Sequence, residues 1–244
     1  GHYIEPYAGG ASVALSLLIN EFASEIHIND YDYSIYCFWY SVLHHPDELC
    51  RLIYDTPVTI SVWNEQKEIQ REVLRHKPLE IGFSTFFLNR TNRSGILNAG
   101  IIGGAKQKGI WKIDARFNKS TLIKRIQRIA LYKNRIHIYN EDAAKLIPKL
   151  IKKLPQNFFI YFDPPYYKKG PDLYINYYKH KDHVKIASII STLNNINWLV
   201  SYDNVEPVRK LYKKFRQHTF DINYHAGNAS KGSEVFIYSD KLWV

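Results

Sequence analysis

HYIEPYAGGASVALSLLI, residues 2–19, is the stretch that decides the fold of this chain. Residues 2–4 form a short apolar run typical of a strand, residues 5–10 are turn-like, and residues 11–19 favour a helix. Gly9 and Gly10 permit a tight strand-to-helix turn whose backbone amides can approach a ligand closely. The stretch therefore predicts the first strand, turn and helix of an α/β sheet, with a ligand over the turn.

The same alternation of strands and helices continues along the chain outside residues 63–117. It predicts a mostly parallel sheet with helices on both faces, which is a Rossmann-like α/β fold. The last two predicted strands are separated by turn-forming residues, so a hairpin would place an antiparallel C-terminal strand in the sheet. The further predicted strands are residues 25–28, 135–139, 158–162, 197–201, 219–224 and 234–238. The further predicted helices are a segment through residue 40 and residues 121–133, 143–153 and 206–215.

Composition narrows the classes of function. The chain has 33 Lys and Arg against 23 Asp and Glu, and its formal charge of +10 favours a polyanionic partner, because neutralised phosphates release counterions. Basic charge alone leaves nucleic-acid binding open. Cys37 and Cys50 are too few for a disulfide scaffold and offer no zinc-like pairs, which favours a reducing, cytoplasmic setting. No run reaches the roughly 18 apolar residues of a membrane span.

Residues 63–117 differ in character from the rest of the chain. Charged helical segments are followed by a tract rich in Gly, Asn and Arg between residues 89 and 112. This tract is longer and more polar than a crossover needs, and long loops in compact domains tend to be functional. We predict one catalytic domain from residues 1–62 and 118–244, with residues 63–117 inserted into it.

Two strand ends predict a site for a nucleoside-containing cofactor. Asp30 follows the second strand, 20 residues after Gly10, where an acidic side chain can accept hydrogen bonds from ribose hydroxyls. The third glycine of a dinucleotide-binding turn is absent, which argues against a pyrophosphate. Taken alone, the glycines fit an ordinary tight turn, and Asp30 fits a helix N-cap. Asp142 fits two interpretations equally, an N-cap for the helix that starts at Ala143 or a contact with the adenine end of the cofactor.

Asp163-Pro164-Pro165-Tyr166 follows a strongly hydrophobic strand. The exocyclic amine of adenine is a poor nucleophile, because its lone pair is delocalised into the ring. The Asp163 carboxylate and the Pro164 carbonyl could both accept from that amine, localise its lone pair and hold it in line with a sulfonium methyl group. Two prolines fix φ and offer no competing N–H, and Tyr166 would stack on the purine. The alternative is a plain turn at the end of a strand.

These motifs, in this order, resemble the Dam-like (alpha-group) family of site-specific DNA adenine methyltransferases, found in restriction–modification systems, phages and bacterial genomes. The resemblance covers nearly the whole chain. It implies a seven-stranded methyltransferase sheet, S-adenosylmethionine as cofactor, base flipping in double-stranded DNA, and no metal. The implied cofactor residues are Glu5, Pro6, Tyr7, Ala8, Gly9, Gly10, Asp30 and Asp142, and the implied catalytic residues are Asp163, Pro164, Pro165 and Tyr166. Further matching segments are residues 28–30, 86–91, 94–96, 201–204 and 233–237.

The resemblance also assigns residues 63–117 to recognition of the DNA sequence. Asn89, Arg90, Asn92 and Arg93 are the predicted base or phosphate contacts, since Arg can pair with guanine and Asn with adenine. For each of the four, the alternative is a solvated loop residue. A companion restriction endonuclease and a location at the bacterial nucleoid are further expectations, whereas the recognition sequence and the oligomeric state do not follow from the sequence.

Family members usually carry a short basic, Gly-rich segment before the first strand, which helps to hold the methionine end of the cofactor. The sequence starts directly at that strand. We therefore expect the chain either to be trimmed at its amino end or to be a fragment, and its cofactor affinity and activity do not follow from the sequence.

Three hypotheses compete with methylation of adenine in DNA. The first is methylation of another amine, in cytosine, RNA adenine or a protein amide, which the Asp of the tetrapeptide and the long basic insert disfavour. The second is a catalytically impaired DNA-binding fragment of the same fold, against which the intact Asp163 and Tyr166 argue. The third is a nicotinamide-dependent dehydrogenase, which leaves the Asp-Pro-Pro-Tyr turn unexplained.

Overall fold

A computed structural model describes residues 1–168, 178–224 and 230–242, with the backbone alone at 222–224, 230 and 231. The chain divides into two compact units. The first comprises Gly1–Tyr31 and Arg135–Val244, and the second comprises Asp32–Asn134. The predicted insert, residues 63–117, lies inside the second unit together with the helices that flank it in sequence.

The first unit contains a seven-stranded sheet with the order β3-β2-β1-β4-β5-β7-β6. Strands β1 to β5 are parallel, and β7 runs antiparallel to both β5 and β6. This confirms the predicted fold class, a mostly parallel sheet with an antiparallel C-terminal strand. The residues that join the last two strands, 225–229, lie outside the described part of the chain. The strands are β1 (His2–Glu5), β2 (Glu25–Asn29), β3 (Ile136–Tyr139), β4 (Phe158–Phe162), β5 (Asn197–Asp203), β6 (Arg216–Tyr224) and β7 (Ser230–Tyr238).

Helices connect the strands of the first unit and form most of the second. Side chains along β4 and β5 point alternately to the two faces of the sheet, so Ile160, Phe162 and Val200 all point toward one core. That core also contains Leu146 and Ile186 from two helices. The sequence predicted the strand at residues 158–162 with the observed bounds. The helices are α1 (Ser12–Ile19), α2 (Tyr33–His44), α3 (Pro46–Asp55), α4 (Ile60–Arg71), α5 (Pro78–Thr91), α6 (Lys119–Ala130), α7 (Ala143–Lys153), α8 (His180–Ser191) and α9 (Glu206–Leu211).

The second unit is helical and is organised around α5. Residues 81–88 of this helix are all buried, including the polar Ser84 and Thr85, so this part of α5 is surrounded by protein on all sides instead of having one solvent-facing side. Gly82 makes this close packing feasible, because a Cβ at that position would lie 2.5 Å from the backbone oxygen of Cys37 on α2. Among the described residues of the whole chain, no helix is both long and apolar enough to cross a membrane.

Candidate active site at the carboxyl ends of the strands

Two loops follow neighbouring parallel strands. Residues 6–10 follow β1 and residues 163–166 follow β4, and β1 pairs with β4 on one side and with β2 on the other. The strand order reverses between β1 and β4: β2 and β3 lie on one side of this junction, and the chain then continues with β4 and β5 on the other side. In open α/β sheets, ligands bind outside the carboxyl ends of the strands at such a point. The topology therefore brings the two most informative sequence motifs to the same edge.

The turn after β1 is held by the end of β2. The Ala8 N–H donates to the Asn29 carbonyl at 2.8 Å, and the Gly9 N–H donates to Oδ2 of Asp30 at 2.9 Å. Gly9 has a φ of +46°, the left-handed region that favours glycine. A Cβ at Gly9 or Gly10 would meet no atom within 4 Å, so this backbone borders open space. The turn thus has room for a ligand against its backbone.

Asn29 fastens three strand ends together. It is only 1% exposed, and its Nδ2 donates to the carbonyls of Pro6 at 2.8 Å and Glu141 at 3.0 Å. Its Oδ1 accepts from the Glu141 N–H at 2.9 Å. The turns after β1 and β3 are therefore fixed by one amide at the end of β2. Sequence reasoning included Asn29 in a matching family segment, residues 28–30, but gave its side chain no role of its own, although a polar residue that ends an apolar strand was a usable signal.

Glu5 and Tyr7 point into the protein rather than over the turn. Glu5 is buried, and its Oε1 accepts from the Tyr3 hydroxyl at 3.1 Å and from the Ala14 N–H of α1 at 3.0 Å. Burial raises the pKa of Glu5 to about 7. The half-buried Tyr7 shares a hydrogen bond of 2.9 Å with the Tyr178 hydroxyl. This geometry favours a structural role for both side chains, and a direct contact with the cofactor stays a prediction.

Asp30 does not cap the next helix. The N-cap of α2 is Asp32, whose side chain accepts from the Ser34 N–H at 2.9 Å. The N-cap interpretation of Asp30 is therefore wrong. Its carboxylate binds the Gly9 amide instead and lies beside the open turn.

Asp142 does cap a helix. One carboxylate oxygen accepts from the Ala144 N–H at 2.9 Å, and the other accepts from Nζ of Lys185 at 2.8 Å. The N-cap interpretation is confirmed, and contact with an adenine stays a prediction. Such a contact would have to share the carboxylate with Lys185.

The tetrapeptide after β4 combines an accessible carboxylate with anchored neighbours. Asp163 is exposed, Pro164 is buried, and Pro165 and Tyr166 are half-buried. The Tyr166 hydroxyl donates to Oε1 of Glu234 at 2.7 Å, which ties the loop to β7. The loop therefore presents Asp163 outward on a fixed backbone.

The surroundings of Asp163 change its basicity. Although solvent reaches the Asp163 side chain, the protein packed around its carboxylate removes part of the hydration that the charged form needs and so raises its pKa above the usual range. The negative charge of Glu234 raises this pKa further. The Ser201 hydroxyl opposes this effect by donating a hydrogen bond of 2.6 Å to Oδ1 of Asp163. Ser201 in turn lies 2.9 Å from the hydroxyl of Tyr161. The carboxylate is thus oriented by a hydroxyl from the neighbouring strand.

Asp203, at the end of β5, holds the next part of the loop. Its two carboxylate oxygens accept from the N–H groups of Tyr167 at 2.8 Å and Lys168 at 2.9 Å. Sequence reasoning recognised residues 201–204 as a family segment but gave Ser201 and Asp203 no role. Polar residues that end a buried strand at the predicted ligand edge were the available signal.

The predicted recognition residues begin at the end of α5, in the second unit. Nδ2 of Asn89 donates to the Gly95 carbonyl at 3.0 Å, and its Oδ1 accepts from Nε of Arg90 at 3.0 Å. Arg90 is half-buried, and its pKa is lowered by burial and by the charges of Arg116 and Arg125. Asn89 and Arg90 therefore contribute to the internal structure of this unit, whatever they also contact.

Asn92 and Arg93 have opposite environments. Asn92 is fully buried, its Oδ1 accepts from Nε1 of Trp63 at 2.6 Å, and its Nδ2 donates to the carbonyls of Ile96 at 3.0 Å and Leu97 at 2.8 Å. A base contact would require breaking these bonds, so the geometry favours a structural role over the predicted DNA contact. Arg93 is exposed and keeps its side chain at the surface.

Comparison with known proteins identifies the family. A search of curated proteins found no match. Among solved structures, an rRNA methyltransferase, aviRa from Streptomyces viridochromogenes, is 11% identical, with 97% of this chain and 76% of that chain covered and a TM-score of 0.38. That likeness carries no functional inference. The family model of the D12 class N6 adenine-specific DNA methyltransferases matches residues 1–225. The chain therefore belongs to this family and is an adenine-specific DNA methyltransferase that uses S-adenosylmethionine as methyl donor.

Proposed function

We propose that the chain methylates N6 of adenine in double-stranded DNA at one short sequence, with the target base flipped out of the duplex. The observation that carries the proposal is the placement of Asp163 at the end of β4, beside the open turn after β1. A carboxylate for the amine and a turn for the methyl donor then face the same edge of the sheet. Adjacent sites of this kind favour direct transfer between two bound groups.

The residues around the open turn fit S-adenosylmethionine. Gly9 and Gly10 leave space where side chains would otherwise stand, so backbone atoms can contact the cofactor. Asp30 lies beside them, and because a carboxylate oxygen can accept more than one hydrogen bond, it can bind Gly9 and a ribose hydroxyl together. The cofactor supplies a methyl group activated by the sulfonium. Asn29 contributes indirectly by fixing the turn.

The residues of the tetrapeptide would activate the amine. Asp163 and the Pro164 carbonyl accept from the two N–H groups of N6, which localises the nitrogen lone pair for attack. The Ser201 hydrogen bond orients the Asp163 carboxylate before the base arrives, so little reorganisation is needed. Asp203 holds the backbone N–H groups that follow the tetrapeptide, which fixes the direction of the loop.

Tyr166 would stack on the flipped adenine. Its hydroxyl is bound to Glu234, which restricts rotation of the side chain. An aromatic ring that is held in place loses little conformational freedom when a base stacks on it, and stacking is part of how enzymes hold extruded bases. An endonuclease that cleaves the same unmethylated sequence is the companion expected of such an enzyme in a bacterial nucleoid.

The experiment that tests the proposal is transfer from tritiated S-adenosylmethionine to unmethylated genomic DNA, followed by analysis of the nucleosides. We expect label in N6-methyladenine, more in duplex than in the separated strands, and at one sequence context when the product is mapped. Label in methylcytosine, or preferential labelling of RNA, would contradict the proposal. If no label appears, cofactor binding measured by calorimetry separates a wrong substrate class from a chain that cannot hold its cofactor.

A further inference from the structure

Three side chains with metal-ligating atoms meet on one face of β1 and β2. The parallel register pairs His2 with Glu25 and Ile4 with His27, so His2, Glu25 and His27 share that face. Nδ1 of His2 lies 3.0 Å from Nε2 of His27 and 3.9 Å from Oε2 of Glu25. One ligating atom from each of the three residues lies within 4.8 Å of the others. Among the described residues, this is the cluster that meets the geometric requirements for a metal ion.

These separations are close to those of a tetrahedral site. Zinc binds His nitrogen at about 2.0–2.1 Å and carboxylate oxygen at about 2.0–2.2 Å, which places ligand atoms roughly 3.3–3.5 Å apart. The observed contacts of 3.0 and 3.9 Å lie on either side of that spacing. Small side-chain rotations would therefore bring the three atoms around one ion. The side chains of His2 and Glu25 are partly exposed, at 15% and 38%, which provides an entry path.

Strand β3 supplies partners that would orient the ligands. Nδ1 of His27 lies 3.0 Å from the Tyr139 hydroxyl, and Nε2 of His137 lies 2.6 Å from Oε2 of Glu25. Metal-ligating His residues commonly donate their second N–H to such a partner, which leaves the other nitrogen unprotonated toward the ion.

We propose that His2, Glu25 and His27 bind one divalent transition-metal ion of the zinc class, with solvent completing the coordination. Two imidazoles and one carboxylate suit such an ion better than Mg²⁺ or Ca²⁺, which prefer oxygen ligands. The site uses the first residue of β1 and the first and third residues of β2, whereas residues 6–10 and 163–166 follow the carboxyl ends of β1 and β4. The ion therefore takes no part in methyl transfer and instead links β1 to β2. The inference does not rest on the proposed function.

The test is titration of Zn²⁺ into chelator-treated, tag-free full chain, followed by calorimetry. We expect one ion per chain, a rise in the melting temperature because the ion binds the folded state, and no comparable binding of Mg²⁺. Glu25→Gln and His2→Ala each remove a ligand and should abolish the one-to-one isotherm. His45→Ala is the matched control, since His45 pairs with Glu48 at 3.6 Å and, within the described residues, belongs to no three-ligand group. It should bind zinc as the natural chain does.

A graded variant distinguishes a built site from adventitious binding. Tyr139→Phe keeps the ring and removes the partner of His27, and we expect zinc affinity to fall by about 10- to 100-fold, less than the loss from a ligand variant. Circular dichroism of each variant without zinc checks that the fold survives. The proposal is overturned if the natural chain binds no stoichiometric zinc, or if folded Glu25→Gln and His2→Ala bind it unchanged. In that case the cluster is a hydrogen-bonded network alone.

Discussion

Polar side chains have different environments at the strand ends of the first unit and at residues 89–93 of the second unit. In the first unit, polar side chains at strand ends hold a neighbouring loop while the loop presents an accessible group. The Asn29 side chain holds the turn after β1 through the Pro6 carbonyl, and the Ser201 hydroxyl orients Asp163. In the second unit, Asn92 is buried and Arg93 is exposed, although they are adjacent in sequence. At the sheet edge, the residue that holds a loop and the group that the loop exposes come from different strands. At the end of α5, the structural residue and the exposed residue are neighbours in sequence.

Removal of the presented carboxylate should have the largest effect. Asp163→Ala deletes the acceptor for the target amine, and we expect kcat to fall by at least about 100-fold, in line with removal of one preorganised polar group from an active site. DNA affinity should be nearly unchanged. The measurement is single-turnover transfer of labelled methyl groups to duplex DNA, with affinity measured in parallel by anisotropy.

Asp163→Asn is the matched variant for that measurement. It keeps an acceptor oxygen but removes the negative charge, so it should lose less activity than Asp163→Ala. If Asp163→Ala were as active as the natural chain, Asp163 would have no part in the reaction, and the tetrapeptide would be a plain turn.

The buried amide of the second unit should matter for stability. Asn92→Ala leaves Nε1 of Trp63 without its acceptor. The carbonyls of Ile96 and Leu97 each lose one donor but still accept from the Ala99 N–H and from Nζ of Lys67. We expect the free energy of unfolding to fall by about 1–3 kcal/mol, the cost of one buried polar group left unpaired. Urea denaturation measures this. Asn98→Ala is the control: Asn98 is exposed, so this substitution should change the free energy of unfolding by no more than about 0.5 kcal/mol.

Arg93, the exposed residue next to Asn92, should affect DNA binding instead of stability. Arg93→Ala should leave the unfolding free energy within about 0.5 kcal/mol and weaken binding to the cognate site by about 1–3 kcal/mol. Arg93→Lys keeps the charge but loses the planar fork, so it should restore affinity for random DNA and not the preference for the cognate site. An equal loss on cognate and random duplexes would make Arg93 a phosphate contact.

The fold, and the placement of the two candidate-site loops at one edge of the sheet, followed from the sequence because they depend on local patterns. Strand–helix alternation determines the order of elements, and parallel strands bring their carboxyl ends to one edge, so residues 6–10 and 163–166 were predictable as neighbours. Asp163 and Gly9 could be predicted as site residues without knowledge of contacts between distant parts of the chain. The antiparallel last strand followed from the short, polar separation between the final two strands.

The residues that hold the loops did not follow, because their partners are distant in sequence. Asn29 binds Glu141, and Asp203 binds the backbone of Tyr167 and Lys168. The cluster of His2 and Glu25 required the register of β1 on β2, which a periodic pattern does not specify. The burial of Asn92 likewise depends on Trp63, 29 positions earlier.

The smallest expected effect is a shift in pH dependence that tests whether β5 tunes the presented carboxylate. In the proposed reaction Asp163 acts as a carboxylate, so transfer should be lost as the pH falls through its pKa, which desolvation by the surrounding protein raises above the usual value of about 3.9. Ser201→Ala removes the hydrogen bond that lowers this pKa, so the acid limb of kcat/KM should move to higher pH. Glu234→Gln removes the charge that raises it, so the limb should move to lower pH, while its amide oxygen can still accept from Tyr166. Shifts of opposite sign, with rates at high pH largely retained, would show that the neighbouring strands tune the basicity of Asp163. Two shifts in the same direction would mean that they act on the loop as a whole.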